Sequence, residues 1–189
     1  MLVAAAGNTA MQSVMPTIGR TLAIPDVWVS IAYSWSALLW VVMAPYWARM
    51  SDRRGRRPLM MLGLGGFTAS FAICGAILWL GLSGWLAPAV TMIVFAIARG
   101  LYGGFGSAAP PAVQAYIASR TDHEHRTAAL AVIASSFGLG TIIGPALAPF
   151  LVLPGLGLAG PMLMFALGGL AVAIALKLML PDDQPRHAV

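Results

Sequence analysis

Charge is scarce in this chain. Aspartate, glutamate, lysine and arginine make up 9% of its 189 residues, against 59% hydrophobic, whereas a water-soluble domain carries about 25% charged residues. Such a composition cannot cover a water-facing surface, so the expected solvent is lipid. Acidic residues number only six: Asp26, Asp52, Asp122, Glu124, Asp182 and Asp183. The resulting net charge of +5 does not point to nucleic acid, because the arginines gather in one short stretch and form no basic face. Cys74 is the single cysteine. It lies in an apolar run, reads as a small core residue, and excludes an internal disulfide. No metal-ligand spacing, phosphate loop or Ser/His/Asp order is present, so neither a metal, a cofactor nor an enzymatic activity is expected. His123, His125 and His187 read as solvated loop residues.

What remains is length and apolarity. A membrane helix needs roughly 20 mainly apolar residues, and six stretches qualify, at about 1–20, 27–49, 58–82, 88–119, 127–153 and 160–180. The first is polar for a span (Asn8, Thr9, Gln12, Ser13). It lacks the basic n-region of a signal peptide and reads as a membrane helix from its start. The fourth is longer than one crossing needs. Arg49, Arg53, Arg54, Arg56 and Arg57 follow the second span, and Arg120 and Arg126 follow the fourth. The connections after the third and fifth carry no charge. By the positive-inside rule the arginine-bearing connections and both chain ends are cytoplasmic. The expected fold class is an all-α polytopic membrane domain. Trp28 and Trp47 near the ends of the second span fit an aromatic belt. Tyr33, Trp35 and Trp40 are assigned to lipid or packing contacts, with a cavity-facing position as the alternative. Thr121-x-x-Glu124 reads as a capping box opening the fifth helix.

Ala48-Arg-Met-Ser-Asp52-Arg53-Arg54-Gly55-Arg56-Arg57-Pro58 holds more than topology requires, namely an aspartate among the arginines and a glycine at a fixed offset. Its pattern, a small residue, three residues, Asp, Arg, one residue, Gly, one residue, Arg, resembles the signature loop of the major facilitator superfamily (MFS). Ala48 replaces the first glycine. The resemblance implies that Asp52, Arg53, Gly55, Arg56 and Arg57 form a cytoplasmic gate, with Asp52 able to cap a facing helix N-terminus. The family's usual acidic gate partner at the end of the fourth helix is absent, and Asp122 is the available substitute.

Two further stretches carry the same resemblance. Arg99, followed by Gly100-Leu-Tyr-Gly103-Gly104-Phe-Gly106, is similar to the family's helix-four motif. Arg99 lies eleven residues after Pro88, which at 1.5 Å per residue is roughly 17 Å into a hydrocarbon layer of about 30 Å. A cation at that depth is costly unless paired or wetted, and no acidic residue falls inside any span. Its options are Asn8, Gln12, backbone carbonyls, a water-filled cavity, a second half or an anionic ligand. Structural pairing or conformational coupling leads, with substrate-anion contact second. In the fifth span, Gly140, Gly144 and Pro145 match the motif of the antiporter branches, although its final glycine pair is Ala148-Pro149 here. Asn8 and Gln12 stand where drug/proton exporters of the family often carry a carboxylate, and neither can titrate.

The resemblance covers essentially the whole chain and is that of an N-terminal six-helix half. It implies two three-helix inverted repeats, about 1–82 and 88–180, with residues 181–189 starting the central loop. It further implies export of a small molecule by alternating access. Membrane lipid and a second six-helix half, covalent or by dimerisation, are the expected partners, and the cell (inner) membrane the expected location. The start of the chain inside its first helix reads as truncation, and the chain alone is not expected to transport. Uptake of an organic anion or metabolite, and a non-transporting assembly subunit, are the alternatives.

Overall fold

Seven α-helices account for most of the computed structural model, which describes residues 1–180 apart from the Asp52 side chain. They are α1 (Leu2–Thr21), α2 (Asp26–Arg54), α3 (Arg56–Leu82), α4 (Pro88–Leu101), α5 (Ala109–Arg120), α6 (Arg126–Leu147) and α7 (Gly160–Met179). A π-helical turn, Tyr102–Gly106, follows α4, and a 3₁₀ turn, Ala148–Leu151, follows α6. The fourth expected span is therefore α4, the π turn and α5 in series. The expected central-loop segment, with Asp182, Asp183 and His187, lies outside the described residues.

Among the described residues, five segments are long and apolar enough to cross a membrane: those built on α2, α3, α4 through α5, α6 and α7. The first expected crossing is the exception. α1 has the length, at 20 residues, but Asn8, Thr9, Gln12 and Ser13 dilute its apolarity. Asn8, Thr9 and Ser13 are spent locally or in the bundle, while Gln12 is exposed. Ser13 Oγ donates to the Ala10 carbonyl and Thr9 Oγ1 to the Ala5 carbonyl.

α1 packs against α6 and α7, α3 against α7, α4 and α5, and α2 against α4 and the π turn. The common core is fully buried Met11, Met15 and Ile18 of α1, Phe67, Phe71, Cys74 and Leu78 of α3, and Phe95 of α4. Cys74 is thus a core residue, as its surroundings in sequence indicate. In lipid this core gains little from expelling water, so close packing holds it. α2 and α6 sit outermost. Val41 is 69% exposed and Ile142 71%, which a water-soluble bundle would not tolerate along whole helices.

Two expectations at helix ends need correction. The second helix does not stop near Arg49. Nothing from Arg49 to Arg54 disfavours helix, so α2 continues until Gly55. The turn opened by Thr121 is not a capping box. Thr121 Oγ1 donates back to the Ile117 carbonyl, and α6 begins at Arg126 without a side-chain cap. The residue at the N-cap of α6 is His125, so Thr121 stands four residues too early to cap that helix.

Candidate functional site

The arginine stretch is a joint rather than a loop. Gly55 is the only residue between α2 and α3 and has φ 91°, ψ 158°, a conformation that residues with a Cβ essentially do not adopt. Pro58 falls in the first turn of α3, where backbone N–H groups have no helical partner and its missing donor costs nothing. Asp52 belongs to the last turn of α2. Arg53 and Arg54 are exposed, while Arg56 and Arg57 are half-buried. Arg57 Nη2 donates to the carbonyl of Lys177 at 2.7 Å. That carbonyl is one of the four that α7 leaves unpaired at its C-terminus, so Arg57 fastens the joint to the end of the last helix. Asp122 is exposed in the turn between α5 and α6. A small second core lies beneath, where Leu59 and Met60 of α3 meet Ala112 and Tyr116 of α5.

Arg99 is 2% exposed. α1 and α4 do not pack closely on each other, and the Arg99 side chain reaches across the space between them. Its Nη2 donates to Asn8 Oδ1. The guanidinium carbon lies 4.8 Å from the centre of the Tyr33 ring and 4.7 Å from that of Tyr102, with Phe71 at 5.9 Å. Arg99 Nε and Nη1 and the Tyr33 hydroxyl have no hydrogen-bond partner among the described residues. The backbone beneath is held from two sides. Ser36 Oγ donates to the Arg99 carbonyl at 3.0 Å, and Ser70 Oγ to the Ala98 carbonyl at 2.8 Å. These hydroxyls supply donors just where the helical ladder changes into the π turn, a feature found mostly at functional sites. Trp47 Nε1 also donates to the Gly104 carbonyl of that turn, at 2.6 Å. Trp47 is therefore a structural clamp as well as an end-of-span aromatic.

In front of Arg99 lies a cleft of about 510 Å³, lined by Asn8, Gln12, Tyr33, Ser34, Trp40 and Phe137 among others. The cleft brings Arg99, Asn8 and Gln12 together, as the sequence suggested. Gln12 is exposed to the cleft and makes no contact with the guanidinium. Tyr33 and Trp40 line the cleft while packing against the core, so they combine a cavity-facing position with the assignment to lipid or packing. Trp35 keeps that assignment, at 45% exposure on the outer groove between α2 and α4. Tyr33, Trp40 and Tyr102 were within reach of sequence reasoning. Tyr33 and Trp40 are seven residues apart, two helical turns on one face, and Tyr102 lies one turn beyond Arg99.

The glycines of α6 act elsewhere. A Cβ on Gly140 would overlap the Leu2 carbonyl oxygen and Ala5, and one on Gly144 the Ala6 carbonyl oxygen and Thr9. They let α6 lie directly on α1, as small residues do between membrane helices. Pro145 is exposed inside α6, and the helix tightens into the 3₁₀ turn three residues later. None of the three lines the Arg99 cleft. The two motifs meet only through α1, which carries Asn8 on one face and Ala5, Ala6 and Thr9 against the glycines.

A buried arginine at mid-depth, a polar first helix and a one-residue joint bearing the Asp-Arg-x-Gly-x-Arg pattern form one combination, and comparison with known proteins agrees with it. The family model described as Major Facilitator Superfamily matches residues 1–189. The chain belongs to the major facilitator superfamily. Its relatives include a protein described as "Probable actinorhodin transporter" from Streptomyces coelicolor, 28% identical over 94% of this chain and 28% of that protein. The class B tetracycline resistance protein of Escherichia coli is 29% identical over 79% of this chain and 35% of its own length. The multidrug efflux pump LfrA of Mycolicibacterium smegmatis is 30% identical over 77% of this chain and 27% of its own length. The chain spans about a third or less of these curated relatives. Its long apolar helices make it a multi-pass membrane protein.

Proposed function

We propose that this chain is one six-helix half of a secondary active transporter that exports a small molecule by alternating access. The observation that carries this reading is the Arg99–Asn8 bridge across the cleft between α1 and α4, in a chain whose whole length matches the family. Such a bridge links two helices that do not pack closely on each other, across the cleft that lies between them. The first three spans (α1–α3) and the last three (α4 through α5, α6 and α7) then act as the two repeats, about 1–82 and 88–180. The second half, supplied covalently or by a partner copy, closes the substrate path.

In this reading Asp52, Arg53, Gly55, Arg56 and Arg57 form the gate on the cytoplasmic side of the inner membrane, with both termini on that side. The concentration of arginine there supports the orientation. Asn8, Gln12 and Arg99 couple the cavity to helix movement, and Gly140, Gly144 and Pro145 provide the surface on which α1 and α6 shift. The decisive experiment is transport in proteoliposomes by the chain alone and together with a second six-helix half. Efflux is expected only from the assembled protein. Asp52→Asn and Arg99→Ala are each expected to abolish it, and unchanged transport in both would sink the mechanism. Inward movement of organic anions would reverse the direction. No transport under any pairing would leave an assembly role.

A further inference from the structure

A second space opens behind the Arg99 cleft. It has a volume of about 230 Å³ and lies within the bundle, walled by Leu64 and Phe67 of α3, Val113 of α5 and Val172 and Leu176 of α7. Trp40, Tyr102 and Phe137 line both spaces, so the two adjoin across these rings. Trp40 and Tyr102 stand 5.2 Å apart between ring centres. The inner chamber is apolar. An apolar cavity of about 150 Å³ stays dry and holds a benzene ring, so this one has room for a small fused ring system.

The charges decide what else the ligand must carry. No acidic side chain among the described residues lines either space. Arg99 is compensated by one amide oxygen and by rings. Ring contacts return only part of what burying a cation costs. The remaining positive potential fills a cleft of low dielectric, where a bound anion several ångströms away still feels it. Asn8 gives its oxygen to Arg99 and its amide N–H groups make no hydrogen bond among the described residues, which leaves a polarised donor for the ligand. Gln12 and Ser34 add further hydrogen-bonding groups.

We propose that the cleft and the inner chamber together bind an amphipathic organic anion, its acceptor head at Asn8 beside Arg99 and its flat apolar body past Trp40 in the chamber. The proposal rests on the cleft being the substrate site and adds the substrate's charge and shape. It makes Val172 and Val113 determinants of ligand size, and Arg99 the determinant of ligand charge.

The test is equilibrium binding to the full chain in nanodiscs of neutral phosphatidylcholine, with empty discs subtracted. The probes are 2-naphthoate, 2-naphthylmethanol, 2-naphthylmethylammonium and benzoate. Naphthoate is expected to bind about tenfold more tightly than the alcohol, and the ammonium more weakly than either. Arg99→Gln should remove this ranking and Arg99→Lys should keep most of it. Val172→Phe, which fills the chamber, should weaken naphthoate about tenfold and benzoate less than about twofold. Equal binding of the three naphthyl probes overturns the proposal. So does an anion preference that survives Arg99→Gln, which would assign it to the arginines around Gly55. Should Arg99→Gln not fold, the Lys and Phe variants still decide: loss of the ranking in Arg99→Lys, or an equal loss of naphthoate and benzoate in Val172→Phe, overturns it. Binding involves no translocation, so a negative result leaves the transport reading standing. Intact ranking with no transport by the assembled protein has the opposite meaning.

Discussion

The arginines around Gly55 and the arginine at position 99 are the same side chain under opposite conditions. Arg53 and Arg54 are exposed at a helix end, and their charge is borne by water. Arg99 is enclosed by Tyr33, Tyr102 and Phe71, with Asn8 as its hydrogen-bond partner. At the joint the charges are cheap and the backbone is special. At mid-depth the backbone is an ordinary helix running into a wide turn, and the charge is special. Where the cost is concentrated is where substitution should be felt.

Three stability measurements would sharpen or break that contrast, all by SDS-titration unfolding in mixed micelles. Gly55→Ala should have the largest effect, a loss of about 2–3 kcal/mol, since its backbone angles admit essentially glycine alone. A loss below about 0.5 kcal/mol would show that α2 and α3 can meet in another conformation. Arg99→Met should raise stability by about 1 kcal/mol, because an apolar side chain removes a buried charge lacking a counter-ion. A clear loss would mean that the rings and Asn8 compensate the guanidinium fully. Arg53→Lys should change stability by less than about 0.5 kcal/mol, as exposed substitutions do. A larger loss would reveal a partner that needs the planar guanidinium.

The helices were legible because lipid demands long apolar runs, and each observed span begins or ends within a few residues of its expectation. The gain in α2 is instructive. Charge at Arg49–Arg54 suggested a loop, yet arginine is a good helix former and only Gly55 interrupts. Arg99 and Asn8 were legible as polar groups stranded at the same depth on helices without acids. The cage around Arg99 was not. α2 is apolar on nearly all sides, so its periodicity assigns no face, and which of its aromatics would turn inward depends on packing against α4. The inner chamber was hidden for a similar reason, since its walls come from six segments far apart in sequence. Gly140 and Gly144 announced a close contact, but not that α1 would be the helix received.

The π turn at Tyr102–Gly106 has a mechanical consequence. The fourth span covers 33 residues, and a continuous helix of that length behaves as a stiff rod. Here the wide turn is followed by Pro110 and Pro111, which cannot return hydrogen bonds to the carbonyls before them. Bending stiffness is therefore lowest in the middle of the span, one turn beyond the arginine. The halves carrying Pro88–Leu101 and Ala109–Arg120, both packed on α3, can tilt relative to each other about that point, and the strain of such a tilt is absorbed in a dozen residues instead of being passed along the whole rod.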